Sequence, residues 1–312
     1  MRALVFTAPH EMDVLDVDEP TPESDEVVIK VEAVGVCGSE LHSISGTGWR
    51  QPPLVMGHEV AGTDPDGRRV AINPLAACGR CDSCERGASN LCRVRKLLGV
   101  QRPGGYAELV AAPRESLHVI PDELSWAEAA LIEPLANAVH ASRLAGSLEG
   151  ARVGIIGAGA LGLLCTAVIS QAHPSDVTVA DPSRGRLAVA EQVGAHNVTD
   201  RLVDEYDVII DAVGAAVTRV DSIDRIRPGG TAVWLGLAQP EVTLDGNAIV
   251  REEKRVVGSF AYSDAEFAEA IRLSGLTDLS WTTSVALEDS AGVFLDLVAG
   301  RSDIVRAVIR PS

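Results

Sequence analysis

The sequence predicts an α/β protein in which a doubly wound parallel sheet is joined to a second, β-rich domain. Three observations predict it. From Ala151 onward, strand-like and helix-like segments alternate, the order that builds a parallel sheet with helices on both faces. A Gly-x-Gly-x-x-Gly motif, Gly157-Ala158-Gly159-Ala160-Leu161-Gly162, sits where the first of those strands turns into the first helix. Ahead of it the chain reads as short strands punctuated by Gly, Pro and Asp.

A chain of 312 residues accommodates two domains of ordinary size. The first, over residues 1–145, carries strands at Arg2–Phe6, Glu26–Val34, Glu59–Ala61, Arg69–Ile72 and Tyr106–Ala111. The second, over 146–262, alternates Arg152–Ile156, Ala160–Gln171, Asp176–Ala180, Arg184–Val193, Asp207–Val213, Val217–Ile226 and Thr231–Leu237. Two helical patterns, Ala265–Leu273 and Glu288–Val298, and a strand at Ile304–Ile309 follow, and residues 263–312 are expected to return and complete the first domain.

Composition excludes some functions. The formal charge is −17, which repels nucleic acid and anionic membrane unless a basic patch intervenes. No such patch is present, and lysine occurs only at Lys30, Lys96 and Lys254. The uncharged run Val153–Ala172 is about long enough to cross a bilayer. Its glycines fall in a phosphate-binding pattern, so a buried strand turning into a buried helix explains it better. The N-terminus lacks a secretory pattern, and a cytosolic location is expected.

The glycine motif has a mechanical reading. The first glycine permits the tight turn, the second lets backbone approach a pyrophosphate, and the third lets helix and strand pack closely. About twenty residues on, Asp181 ends the second strand, where a carboxylate accepts from ribose hydroxyls and repels a 2′-phosphate. The pattern therefore indicates NAD over NADP. Arg184 and Arg186 lie close by and could soften that preference, and for Arg184 a solvated helix position is an equal reading.

Cys78, Cys81, Cys84 and Cys92 put four thiols within fifteen residues. Four sulfurs meet zinc's tetrahedral preference with no position left open, so the cluster reads as a structural zinc site. Disulfides would need an oxidising compartment. Three other segments, Cys37-Gly-Ser39-Glu-Leu-His42, Gly57-His58-Glu59 and Glu133-Pro134, each have a dull explanation alone. Together their sulfur, nitrogen and oxygen donors describe a catalytic zinc that keeps a position open. Cys165, on the cofactor-domain helix, reads as core.

With these segments and Gly104–Glu108 and Ile132–Pro134 in order, the chain resembles the zinc-containing medium-chain dehydrogenase/reductase family over nearly its whole length. It is most similar to the polyol branch of sorbitol-type and galactitol-phosphate-type dehydrogenases. The resemblance implies a GroES-like β-rich catalytic domain, a Rossmann domain, two zinc ions per chain, and NAD-linked oxidation of a secondary alcohol or polyol to its ketone. It implies that Cys37 and His58 bind the catalytic zinc, with Glu59 and Glu133 as direct ligands or as partners of the bound water; which carboxylate binds directly stays open. Ser39 matches the hydroxyl that takes the alcohol proton, and His42 the histidine that passes it outward. Leu235-Gly236-Leu237 and Ser259-Phe260-Ala261 match segments lining the nicotinamide half, Arg186 a contact at the adenosine end, and Trp49 and Tyr262 substrate-pocket positions. For Tyr262, an aromatic packed between domains is an equal reading. A homo-oligomer, dimer or tetramer, is expected.

Two departures stand out. The hairpin after Glu59 is cut to a tight turn at Asp64–Gly67, and the crossover helix expected between Val198 and Tyr206 is missing. Ala261 replaces the arginine that sorbitol-type enzymes carry beside the pocket tyrosine. A biosynthetic dehydrogenase acting on a cyclitol, aminocyclitol or larger alcohol is therefore the first rival. A non-catalytic NAD-binding protein is the second, and the intact Cys37, Ser39, His42, His58, Glu59 and Glu133 speak against it.

Overall fold

The computed structural model describes residues 1–275 and 281–311, so the C-terminal return is seen except at 276–280 and 312. The described chain divides into two units. The first comprises Met1–Glu133, Ser263–Gly275 and residues 281–311.

Its main sheet has seven strands. Along the path run Leu117–Val119, Arg69–Ile72, Glu59–Thr63, Glu26–Gly35, Arg306–Arg310 and Thr282–Ala286, and Leu109–Pro113 pairs with Glu26–Gly35. The long strand Glu26–Gly35 is buried on most positions, as a strand flanked on both sides and covered on both faces must be. Leu4, Phe6, Ile29, Val31, Met56, Val60, Tyr106 and Phe294 belong to its main apolar cluster. The expected strand Tyr106–Ala111 begins only at Leu109. Tyr106 and Ala107 lie in irregular backbone that bonds to Met56 and Leu4 instead.

Register positions the site. Gly35 pairs with Glu59 on one side and with Val308 on the other. The segment leaving Gly35 toward Cys37, the start of the strand at Glu59 and the start of the strand at Arg306 therefore lie at one end of the sheet.

The second unit is built on Pro134–Tyr262. Its six strands are all parallel, in the order Asn197–Thr199, Asp176–Ala180, Arg152–Ile156, Tyr206–Asp211, Ile226–Trp234, Arg255–Gly258. Numbered along the chain this is 3-2-1-4-5-6, the doubly wound dinucleotide-binding order. Sequence reading missed the strands Asn197–Thr199 and Arg255–Gly258 and the helix Gly246–Arg251 between them, all short and weakly patterned.

Residues 200–205 alone connect the edge strand Asn197–Thr199 to Tyr206–Asp211 beyond the central strand, where a parallel crossover ordinarily takes a dozen residues or more. The link lies directly on the sheet. Leu202 is 2 % exposed, and a Cβ placed on Gly154 would come within 2.8 Å of its Cδ1. Arg225 Nη1 donates to Val203 O at 2.8 Å, and Arg201 pairs with Asp221 at 2.6 Å, tying the link to the helix Ala216–Arg225. Apolar contact with a bare glycine thus replaces the missing helix. Among the described residues no helix is long and apolar enough to cross a membrane, and Val153–Ala172 divides into the strand Arg152–Ile156 and the helix Ala160–Ser170.

Candidate metal and dinucleotide sites

Cys37 caps a short helix, Gly38–Ile44, that follows the long central strand. His58 and Glu59 arrive at the same end on the neighbouring strand. Their ligand atoms, with Cys37 Sγ, lie within 4.8 Å of one another. Glu133, 8 % exposed in the first turn of the helix Ile132–Ala145, is not a member of that group. Sulfur, nitrogen and oxygen donors at this separation fit a zinc ion of mixed ligation.

The surroundings hold residues that sequence reading passed over. Glu40 is completely buried. Its carboxylate accepts from Gly57 N at 2.9 Å and Cys37 N at 3.1 Å, lies 3.0 Å from His58 Nδ1, and accepts from the Tyr106 hydroxyl. Burial alone would raise the Glu40 carboxyl, but the His58 and Arg50 charges and these hydrogen bonds hold it at about 2. Burial opposes the charge on His58, yet Cys37 and Glu40 lift it to about 10 before a metal competes for the ring. Burial likewise pushes the Cys37 thiol up, and the His58 charge and hydrogen bond outweigh it, leaving it below the ordinary thiol range. The lowered thiol gives up its proton readily to a metal, whereas His58 holds its proton more tightly and must release one as the metal binds. Burial and the Glu40 charge keep the Tyr106 phenol protonated. Glu59, 1 % exposed, is ion-paired with the buried Arg306.

The helix Gly38–Ile44 also carries Ser39, whose Oγ donates to Cys37 Sγ at 3.3 Å, and the exposed His42. Positions three apart on a helix share a face. Trp49 is 53 % exposed beside the buried Arg50, whose guanidinium carbon is 5.8 Å from the indole centroid.

Cys78, Cys81, Cys84 and Cys92 bring their sulfurs within 4.8 Å of one another, with Cys81 and Cys84 3.5 Å apart. A zinc tetrahedron with ordinary Zn–S bonds needs sulfurs about 3.8 Å apart, so the four fit. All are free thiols. Backbone hydrogen bonding at Cys84 pulls the Cys81 thiol down to about 6, while burial pushes Cys84 up to about 11.

In the second unit Gly157 adopts φ +97°, and a Cβ on Gly162 would overlap the Gly157 carbonyl. Nothing lies within 4 Å of where a Cβ on Gly159 would stand, which leaves free space at the N-terminus of the helix Ala160–Ser170 for a phosphate to approach. Ala160 is buried at its start, followed by Leu161. Asp181 is 6 % exposed; Oδ2 accepts from Ala158 N and Oδ1 from Ser183 N, both at 2.8 Å. The carboxylate thus braces the glycine loop. Arg184 and Arg186 are exposed in the first turn of the next helix.

Leu235 is buried, Leu237 is 58 % exposed, and a Cβ on Gly214 would overlap the Gly236 carbonyl. The Gly214 and Gly236 segments therefore pack backbone to backbone along this edge, a contact that only glycine permits. Ser259 is buried with its hydroxyl unpartnered, Phe260 is 38 % exposed, and Ala261 takes φ +51°. Tyr262 is only 1 % exposed. Cys165 is fully buried in the helix Ala160–Ser170 and belongs to neither metal group.

Comparison with known proteins agrees with this geometry. The alcohol dehydrogenase GroES-like domain family matches residues 23–122 and the zinc-binding dehydrogenase family residues 160–275. The chain is 34 % identical to an L-threonine 3-dehydrogenase of Streptomyces coelicolor, over 92 % of each chain. It is 33 % identical to a sorbitol dehydrogenase of Halalkalibacterium halodurans, over 88 % of each. A zinc-binding dehydrogenase of Sinorhizobium meliloti, solved with NADP, superposes with a TM-score of 0.92 at 30 % identity, covering 99 % of each chain. The chain belongs to the zinc-containing medium-chain dehydrogenase/reductase family, in its polyol dehydrogenase branch, and is a zinc-dependent, NAD-linked alcohol or polyol oxidoreductase.

Proposed function

We propose that the chain oxidises a secondary alcohol of a small polyol or hydroxy compound, with Cys37, His58 and a carboxylate holding the catalytic zinc and Ser39 receiving the hydroxyl proton. The observation that carries this reading is the Cys37–His58–Glu59 group, its histidine and glutamate buried and its cysteine half-buried, with the Ser39 hydroxyl 3.3 Å from Cys37 Sγ. Zinc held there supplies a Lewis acid that lowers an alcohol's pKa toward neutrality.

The protein's own residues do the rest. Ser39 accepts the proton and passes its own onward, and His42, on the same face of the helix, carries it to solvent. Arg306 is paired with Glu59, so a zinc taking Glu59 as its carboxylate ligand would compete with that guanidinium, and Glu133 would be the other carboxylate available to the metal or its bound water. Cys78, Cys81, Cys84 and Cys92 hold the structural zinc. The glycine loop, Leu235–Leu237 and Ser259–Ala261 would hold the dinucleotide, which would supply a nicotinamide as the hydride acceptor. The buried carboxylate of Asp181 favours NAD over NADP.

Four cysteines grouped as a metal site and not paired as disulfides support a cytoplasmic setting. The parallel sheet ends in Arg255–Gly258, an exposed edge strand, which supports a homo-oligomer formed through it, measurable by light scattering.

The test is the rise in NADH absorbance when the zinc-loaded protein meets NAD and a panel of L-threonine, sorbitol, butane-2,3-diol, polyol phosphates and cyclitols. Turnover of one class, abolished in Ser39→Ala with two zinc ions retained, is the expected result. Undiminished turnover in that variant would remove Ser39 from the proton step.

A further inference from the structure

Arg50 belongs to no motif, yet its side chain is 3 % exposed and its donors converge on Ser39. Nη1 donates to Ser39 O at 2.9 Å and to Ser43 Oγ at 3.3 Å, Nη2 to Ser39 Oγ at 3.2 Å, and Nε to Gly99 O at 3.0 Å. Nη2 also lies 3.4 Å from His58 Nδ1. An imidazole that ligates through Nε2 carries its proton on Nδ1, and that proton goes to Glu40 Oε1 at 3.0 Å. Nδ1 is then no acceptor, and Nη2 is left to the Ser39 hydroxyl.

The geometry points to Arg50 as the positioning residue of the proton step, the group that fixes the Ser39 hydroxyl in its transferring orientation. A serine oxygen has one O–H and two lone pairs. Arg50 occupies one lone pair. The other receives the alcohol proton: the alcohol O–H bond breaks, a new Oγ–H bond forms, and the original Ser39 proton, at rest donated to Cys37 Sγ, turns from the sulfur and leaves toward His42, so the hydroxyl is regenerated with no change in oxidation state. A guanidinium holding both the carbonyl and the hydroxyl of one serine fixes the side chain where a single hydrogen bond would leave it free to rotate. Its charge also offsets that of Glu40, so the carboxylate that orients His58 subtracts less from the positive potential felt by a developing alkoxide.

This inference rests on the reading of Ser39 as proton acceptor, and the experiment separates the two. Arg50→Met, Arg50→Lys, Ser39→Ala and the double variant Ser39→Ala/Arg50→Met are prepared with cobalt at the Cys37 site and zinc in the four-cysteine lobe. The thiolate-to-cobalt absorption band reports whether the Ser39 hydroxyl still bonds to Cys37 Sγ. Ser39→Ala is expected to shift it, Arg50→Met to shift or broaden it the same way, and the double variant to add nothing further. With zinc and the alcohol that turns over in the panel, Arg50→Lys, which keeps the charge but loses the fork, is expected to lower kcat about tenfold with KM little changed and to raise the solvent isotope effect. A shifted band in Ser39→Ala with a wild-type band, kcat and isotope effect in Arg50→Lys overturns the role of Arg50 alone. A wild-type band and full turnover in Ser39→Ala overturn the Ser39 reading and this inference with it.

Discussion

The Nδ1 nitrogen of His58 lies 3.0 Å from Glu40 Oε1, within a carboxylate that also accepts two backbone N–H groups and the Tyr106 hydroxyl. A carboxylate behind a ligating imidazole selects its tautomer and strengthens it as a donor. Glu40→Gln keeps the shape but removes the charge. Zinc affinity at the Cys37 site, measured by competition with a chelator, is expected to fall about 10- to 100-fold, with the four-cysteine zinc untouched. Equal loss at both sites would mean the variant acts through general unfolding.

Asp181 accepts one hydrogen bond from the glycine loop and one from the following turn. Asp181→Ala therefore removes both a ribose acceptor and a brace, and NADH should bind about tenfold more weakly or worse. NADPH should lose less, because repulsion of its 2′-phosphate disappears at the same time. Fluorescence titration of the two cofactors checks the ratio, and an unchanged ratio counts against the assignment.

At the shortened crossover, Gly154→Val should destabilise the protein by about 1–3 kcal/mol through overlap with Leu202. Leu202→Ala should cost about 2–5 kcal/mol through the cavity it leaves. Because the two residues share one space, the double variant is expected to be more stable than the sum of the single effects. Denaturant melts of all three measure the coupling, and strict additivity would mean the contact is not the one holding the link.

Replacing Cys84 with serine should reduce bound zinc from two ions per chain to one and lower the melting temperature, since a structural zinc contributes directly to folding. Metal analysis and calorimetry read this out. Retention of two zinc ions would show that three thiols suffice.

The Cys165 thiol is fully buried, and burial pushes it to about 12 from an ordinary 9.0. A group whose folded pKa is raised contributes stability that is present below the unfolded pKa and lost as pH rises toward the folded one. Part of the alkaline loss of stability above pH 9 should therefore disappear in Cys165→Ala, whatever that variant costs at neutral pH. In the native protein Cys165 should resist alkylation until the chain unfolds, and mass spectrometry after timed labelling shows whether it does.

Local sequence determined what depends on neighbours along the chain. The Gly157–Gly162 motif, the Cys78–Cys92 spacing and the strands around Arg152–Ile156 and Asp176–Ala180 are legible because turns, metal loops and hydrophobic periodicity are short-range constraints. Which donors share a metal depended on more than spacing: Cys37, His58 and Glu59 meet because antiparallel register places Gly35 opposite Glu59. Arg50, Arg306, Tyr106 and Glu40 looked like ordinary polar or aromatic positions. Glu40 and Tyr106 each had a signal, the first its place between Ser39 and His42 in the Cys37 segment and the second its place in Gly104–Glu108. Their burial, and therefore the need of each for a partner, arises only when distant strands close over them. The crossover over residues 200–205 is the reverse case. Sequence showed a missing helix, and only the tertiary structure showed that Leu202 lies against Gly154, since apolar packing between segments far apart in the chain leaves no local periodicity to read.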